Sequence, residues 1–196
     1  MSLTVKEGGS FQTVPAGTYP ARCIRLIDIG TQEFTWNDET KKAKQIIIAW
    51  ELPTELIESG EFAGQPYIVS KFFTASLHKK AGLRQALEAW RGKAFTDEEL
   101  RGFNLSNILD KCCMLNIIHN EKGNAKVQGI MALPKGMIVT ERINPLVSFD
   151  IDVFDMQIFD SFSDGIKNLI RKSDEYKFGN QHVDTVPYEE TIPEPF

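Results

Sequence analysis

Long hydrophobic runs are absent from this chain of 196 residues. The longest uninterrupted apolar run covers residues 46–50, whereas a membrane-spanning helix needs roughly 20 apolar residues. The N-terminus also lacks the basic segment followed by an apolar one that marks a secretory leader. We therefore expect a cytoplasmic protein.

Cysteine is scarce as well, with three residues, Cys23, Cys112 and Cys113. The number is odd, and two of the three are sequence neighbours whose side chains would point to opposite faces of a strand. A disulfide framework is therefore not expected, and a chain of this length can bury a sufficient core without one.

The common catalytic and nucleotide-binding motifs are missing too. The sequence contains no GxxxxGK[ST], GxGxxG or GxSxG, and its three histidines (His78, His119 and His182) stand at none of the usual metal-binding spacings. Asp28 with Glu39, Thr40 and Lys41 superficially resembles the acid and Glu-x-Lys pattern of a metal-dependent nuclease. A solvated turn explains Glu39 better, because it lies among polar residues. We expect no enzymatic activity, no metal and no cofactor.

The residues that are present indicate one main globular domain, with 42% hydrophobic and 25% charged residues. Their charge is unevenly distributed. Residues 1–147 carry 18 Lys and Arg against 16 Asp and Glu, whereas residues 148–196 carry 4 against 11. An acidic C-terminal quarter therefore follows a slightly basic body.

Four segments are predicted along the chain. Residues 1–13 form a flexible arm, and residues 14–147 form the main domain. Residues 148–178 are an extension rich in Phe and Asp, with a helix over residues 163–172. Residues 179–196 form a disordered acidic tail, because Asp, Glu and Pro are frequent in its last 13 residues and Lys and Arg are missing there.

The residue pattern of the main domain predicts three strands, two helices and two strands. The strands cover residues 18–30, 41–52, 67–74, 111–120 and 125–133. Apolar residues from Leu83 to Trp90 recur at helical spacing in a helix that begins near Ser76, and Thr96 with Glu99 forms a capping box for a second helix. This order is that of an OB-fold, a five-stranded Greek-key barrel with its helix between strands three and four. Another small mixed barrel is the competing interpretation.

Basic and aromatic residues are interleaved in the first three predicted strands. Proteins that hold single-stranded nucleic acid need cations for the phosphates and flat rings on which the bases stack, and OB-folds place both on strands two and three and in the flanking loops. The predicted phosphate contacts are Arg22, Lys41, Lys42, Lys44 and Lys71, and the predicted stacking residues are Trp36, Trp50, Tyr67 and Phe72.

Two of these aromatic predictions rest on local arguments. Trp36 is the strongest candidate, because it precedes Asn37 and Asp38 in a polar connection where a core residue has no obvious place. On the third strand, the alternation of side chains allows only one of Phe72 and Phe73 to face outward.

The acidic tail ends in an aromatic residue. A ring and an α-carboxylate at one chain end can be captured together by a basic pocket on a partner protein. The acidic segment can also compete with DNA for the basic face. The predicted partner-binding residues are Glu189, Glu190, Ile192, Pro193, Glu194, Pro195 and Phe196.

Four stretches carry a family resemblance: residues 14–22 (VPAGTYPAR), residues 28–32 (DIGTQ), the helical stretch 83–90 and the acidic tail that ends in Phe196. Over residues 11–136 and the last ten, the chain resembles the single-stranded-DNA-binding replication proteins of tailed bacteriophages. Its tail is also similar to that of bacterial single-stranded-DNA-binding proteins, in which an acidic run ends Ile-Pro-Phe, although here a Glu-Pro pair separates Pro193 from Phe196. The resemblance implies an OB-fold, sequence-independent coating of single strands, and a tail that recruits polymerase, helicase or recombination proteins.

The expected function is therefore sequence-independent binding and protection of single-stranded DNA during phage DNA replication or recombination, in the host bacterial cytoplasm. The alternative is a phage structural or protein-interaction module that uses residues 149–162 as its contact surface. A metal-dependent nuclease is less favoured. The sequence leaves open whether the chain forms a homo-oligomer and whether RNA competes with DNA.

Overall fold

Six strands and five α-helices make up the part of the chain that the computed structural model describes, residues 12–36 and 38–180. The strands are β1 (Gly17–Trp36), β2 (Glu39–Leu56), β3 (Pro66–Thr74), β4 (Cys112–His119), β5 (Ala125–Met131) and β6 (Val147–Phe149). The helices are α1 (Gly82–Arg91), α2 (Asp97–Arg101), α3 (Met156–Asp160), α4 (Asp164–Lys172) and α5 (Asp174–Asn180). Two short 3-10 turns cover Leu105–Ile108 and Ile151–Val153.

The first five strands form one antiparallel sheet in the order β3-β2-β1-β4-β5. The short β6 pairs in parallel with β1, off this path. Among the described residues the sheet does not close into a continuous ladder, although β3 and β5 approach each other with Cα atoms within 8 Å. The predicted mainly β fold is thus confirmed.

One face of the sheet carries the main core. Alternate residues of β2, Ile46, Ile48 and Trp50, point into it and meet the buried face of α1. That face consists of Leu83, Leu87 and Trp90, at the helical spacing seen in the sequence. The capping box of Thr96 and Glu99 is present at the start of α2, as predicted.

A second core covers the opposite face of β1 and β2. Its sheet residues are Ile27, Ile29 and Ile47, and its other members come from residues 147–180, which we call the C-terminal unit. They are Phe149, Ile151, Phe159, Phe162 and Ile170. Because Phe149, Phe159 and Phe162 are buried here, the alternative in which residues 149–162 form a contact surface is wrong for three of its four rings.

Several element boundaries differ from the predictions. Helix α1 begins at Gly82 rather than near Ser76, since residues 75–81 form turns instead. Strand β1 continues to Trp36 because a β-bulge at residues 28–30 lets the chain bend without ending the strand. The sequence pattern also missed β6, α3 and α5, and α5 extends two residues into the segment predicted as tail.

The structure also bears on two expectations from the sequence, one about membrane-spanning helices and one about disulfides. Within residues 12–36 and 38–180, no helix combines the length and apolar character needed to cross a membrane. All three cysteines are free, with Cys23 and Cys113 buried.

Glu175 links the C-terminal unit to β1. Its carboxylate accepts hydrogen bonds from the Thr31 backbone N–H at 2.7 Å and the Thr31 hydroxyl at 2.8 Å. Burial opposes ionisation, but these hydrogen bonds and the charge of Lys44 outweigh it and lower the pKa of Glu175 below its ordinary value of 4.5. A carboxyl group whose pKa is lower in the folded state stabilises the fold above its unfolded pKa, and this stabilisation is lost as the pH falls through the folded pKa.

We therefore expect Glu175→Gln to lower the free energy of unfolding most at neutral pH, with a difference from the wild type that shrinks below about pH 4. Urea denaturation across that range measures it. Glu121→Gln, at an exposed position in the turn between β4 and β5, is the control and should change the free energy of unfolding by no more than about 0.5 kcal/mol. A Glu175→Gln difference that stayed constant with pH would contradict the expectation.

Candidate functional site

A cleft of about 740 Å³ lies where β3 and β5 approach each other without pairing. Its walls come from the second half of β3, the turns of residues 76–81, the first turns of α1, and Gln128 and Ile130 of β5. Among the residues that the structure describes, its lining includes Lys71, His78 and Lys80 but no aspartate or glutamate. The cleft therefore combines positive charge with two sheet edges, β3 and β5, that pair with no further strand of the described residues.

Lys71 is the most constrained cation of the cleft. Its ammonium lies 5.5 Å from the centroid of the Phe73 ring and 3.5 Å from the backbone carbonyl of Gln128. No carboxylate among the described residues forms an ion pair with it. Burial and, secondly, the positive charge of Lys126 lower the pKa of Lys71. An anion bound here would supply the counter-charge that the described residues do not.

The start of α1 adds backbone donors to the same cleft. Ala81, Gly82 and Leu83 line it, the Ala81 side chain cannot cap the helix, and the first turn contains no acidic residue. The first N–H groups of a helix have no partner within the helix and favour an anion. A Cβ added to Gly82 would meet no atom within 4 Å, so a ligand can approach the backbone closely.

Phe72 supplies an exposed ring at the rim of the cleft. It is 51% exposed, whereas its neighbour Phe73 is buried in the main core. Phe72 therefore faces outward and Phe73 inward, as the alternation of side chains along a strand requires. Phe72 is also the ring that was predicted to stack on a base. Lys71 and Phe72 are the two predicted site residues that the structure brings together in the cleft.

The three lysines at the start of β2 lie elsewhere and have carboxylate partners. Lys41 pairs with Glu39 at 3.2 Å and Lys42 with Asp174 at 2.8 Å. Lys44 lies 3.0 Å from Asp28 and 2.9 Å from Asp152. Burial disfavours the charge of Lys44, but these carboxylates outweigh burial and raise its pKa. Carboxylates of the sheet (Glu39, Asp28) and of the C-terminal unit (Asp174, Asp152) therefore already provide the negative charge that these lysines were predicted to take from phosphates.

Two further predictions need correction. Trp50 is 0% exposed and packs against Trp90 with ring centroids 5.8 Å apart, so no base can stack on it. Arg22 is largely buried, and its guanidinium donates to Asp110 and to the carbonyls of Val139 and Thr140. It holds the connection that follows β5 instead of facing solvent.

The remaining predicted residues fall into two groups. Tyr67 is half-buried against the main core and lines a separate groove at the other end of β3. Trp36 ends β1, but its side chain lies outside the described residues, as do Glu189, Glu190, Ile192, Pro193, Glu194, Pro195 and Phe196 of the tail. Their roles stay predictions.

The residues of the nuclease-like pattern are far apart. Glu39 is paired with Trp36 in the β1–β2 register, eight residues along β1 from Asp28, which corresponds to about 27 Å of extended strand. Asp28 instead lies near Asp150 and Asp152, with carboxylate oxygens within 4.8 Å of one another. Lys44 bonds two of these three carboxylates and supplies positive charge to the cluster. The predicted pattern therefore does not form one site.

Three residues of the cleft, His78, Lys80 and Gln128, are not among the residues predicted from the sequence. A signal for two of them was present, since residues 77–80 read Leu-His-Lys-Lys just before the helical pattern. Starting the helix at Ser76 placed these residues on a helix surface. In the structure, Ser76 Oγ accepts from the His78 N–H and His78 Nδ1 accepts from the Lys80 N–H, which folds them into turns beside β3.

Comparison of the chain with protein-family models, with curated proteins and with solved structures gives no match.

Proposed function

We propose that this protein binds single-stranded DNA without sequence preference through the cleft between β3 and β5, on an OB-type barrel. The observation that carries the proposal is a cleft with an exposed ring at its rim, three basic side chains in its wall and no lining carboxylate. The strand order β3-β2-β1-β4-β5, with α1 between β3 and β4, supports the OB assignment. The gap between β3 and β5 corresponds to a partly open barrel.

In this proposal, the cleft binds the phosphates and the bases of the DNA through different groups. Lys71, Lys80 and the first N–H groups of α1 contact phosphates, and Phe72 stacks a base. None of these groups reads a base edge, so binding depends on the strand being single and not on its sequence.

The proposal extends to the biological setting that the family resemblance implies. The protein would protect single strands during phage DNA replication or recombination in the bacterial cytoplasm. Residues 189–196 would recruit replication or recombination proteins. No catalytic step is part of this function.

The direct test is a fluorescence titration of a labelled oligo-dT of about 30 nucleotides at two salt concentrations, in the presence of EDTA. We expect binding that weakens as salt rises, because cations released from the phosphates favour the complex. EDTA removes divalent metal, so loss of signal through metal-dependent degradation is avoided. No binding at low salt would overturn the proposal.

A lysine comparison tests where the phosphates lie. Lys80→Ala should make the plot of log binding constant against log salt concentration less steep by about 0.7. It should also weaken binding about fivefold at 0.1 M salt, which is the contribution of one single-strand phosphate contact. Lys172→Ala, an exposed position at the end of α4, should change neither. Lys44→Ala distinguishes phosphate binding in the cleft from phosphate binding at the start of β2. It should make the salt dependence less steep only if phosphates displace Asp28 and Asp152 from Lys44. An unchanged slope for Lys80→Ala would place the phosphates outside the cleft.

A further inference from the structure

A second groove lies at the opposite end of β3, beside the β2–β3 connection. It opens on the outer face of the sheet, the face that carries Ile27, Ile29 and Ile47. Its volume is about 610 Å³, and its lining includes Arg25, Phe62, Gln65, Tyr67 and Ile68. Glu61 is the one carboxylate among the lining residues. We call it the hairpin groove.

Arg25 gives the groove a cation that forms no ion pair with any residue the structure describes. It lies on β1, opposite Ala49 of β2, which in turn pairs with Ser70 of β3. Its Nε is buried and has no hydrogen-bond partner, and no carboxylate of the described residues forms an ion pair with its guanidinium. The guanidinium carries only N–H donors, and its terminal N–H groups can donate to an oxygen of a ligand in the groove.

Phe62 gives the groove an exposed ring on an ordered loop. The ring is 52% exposed, and the loop that holds it is closed by backbone hydrogen bonds from Gly64 to Ile57 and from Gln65 to Phe62. A loop whose backbone is already folded before a ligand arrives loses less conformational freedom on binding. Next to it, Ile68 is 41% exposed on β3.

The outer face of β3 connects the hairpin groove to the cleft. Ile68, Ser70 and Phe72 alternate along this face and are all exposed. Ile68 lines the groove and Phe72 lines the cleft, four residues apart, which is about 14 Å of strand. Each end of this path has a basic side chain and an exposed ring.

We propose that the hairpin groove is a second binding site for the same DNA strand that occupies the cleft. A nucleobase stacks on Phe62, and Arg25 donates hydrogen bonds to a base or phosphate oxygen. This inference rests on the proposed function, because it needs a single strand in the cleft. It predicts that a strand must exceed a minimum length, enough to cross the outer face of β3, before the groove contributes to binding.

The experiment measures the affinity of Phe62→Ala for labelled oligo-dT of two lengths, about 4 and about 16 nucleotides, the two ends of the range of site sizes that single OB-folds occupy. For the longer strand we expect a loss of roughly 5- to 150-fold, equivalent to one stacked base. For the shorter strand, held in the cleft alone, we expect no change. Phe178→Ala removes an even more exposed ring (65% against 52%) from α5 and is the control.

The outcomes separate the two proposals. Wild-type binding of both lengths with no effect of Phe62→Ala on the longer strand overturns the groove assignment and leaves the proposed function intact. An equal loss for both lengths also overturns it, since the groove would then be part of the first site. Failure of the wild type to bind either length overturns the proposed function itself. Thermal unfolding of each variant verifies that the exposed substitutions leave the fold unchanged.

Discussion

Replacing Glu51 by alanine should lower the free energy of unfolding by roughly 2–4 kcal/mol. Glu51 lies in the middle of β2 and is 0% exposed. Its two carboxylate oxygens accept hydrogen bonds from the Ile143 N–H at 2.8 Å, the Asn144 N–H at 2.9 Å and the Asn144 side-chain amide at 2.9 Å. These bonds attach the connection between β5 and β6 to the sheet, and alanine would leave all three donors without an acceptor.

Urea denaturation at neutral pH measures this effect through a lower midpoint at constant slope. Glu51→Gln should lose less, because one carbonyl oxygen remains, while its amide NH₂ faces donors and cannot replace the second one. Glu58→Ala, at an exposed position beyond the end of β2, should stay within about 0.5 kcal/mol of the wild type. A loss below about 1 kcal/mol for Glu51→Ala would show that the connection keeps its place without this carboxylate.

Gly30→Ala should destabilise the protein by a similar amount, roughly 2–4 kcal/mol. Gly30 has a φ of 71°, a left-handed conformation that costs a residue with a Cβ energy. That Cβ would lie 2.6 Å from Glu175 Oε2 and from Ser173 Cβ, and 2.9 Å from Ile151 Cδ1. All three atoms belong to the C-terminal unit, so the substitution would push this unit away from β1.

Gly165→Ala is the matched control for Gly30→Ala. Gly165 lies in α4, has no neighbouring atom within 4 Å of an added Cβ, and is not left-handed. Alanine is the better helix former there and should stabilise by up to about 1 kcal/mol. Unfolding midpoints that moved in the same direction for both variants would argue against the close approach at Gly30.

The local parts of the fold could be predicted from the sequence because neighbouring residues determine them. The capping box of Thr96 and Glu99, and the helical spacing of Leu83, Leu87 and Trp90, each lie within one turn or one helix. Trp50 could have been assigned correctly by the same reasoning, since it shares its strand face with Ile46 and Ile48.

The charge pairs of the lysines at the start of β2 could not be predicted in this way. Lys42 pairs with Asp174, which lies 132 residues further along the chain, and Lys44 pairs with Asp152, which lies 108 residues further along. The sequence shows how many charges of each sign there are, but the partner of each depends on where the C-terminal unit lies on the sheet. For the same reason, the position of the cleft followed from the strand order and the turns before α1, and not from the density of basic residues.

The parallel pairing of β6 with β1 has a consequence for the order of folding. Arg25 is paired with Val147, about 120 residues away, whereas β1, β2 and β3 follow one another directly in the chain. Contacts between distant residues close long loops and form late, so the C-terminal unit should dock on a sheet that already exists. Until it does, Ile27, Ile29 and Ile47 face water. A nascent chain still lacking residues 147–180 therefore presents an uncovered apolar sheet face, which makes aggregation during synthesis its main hazard.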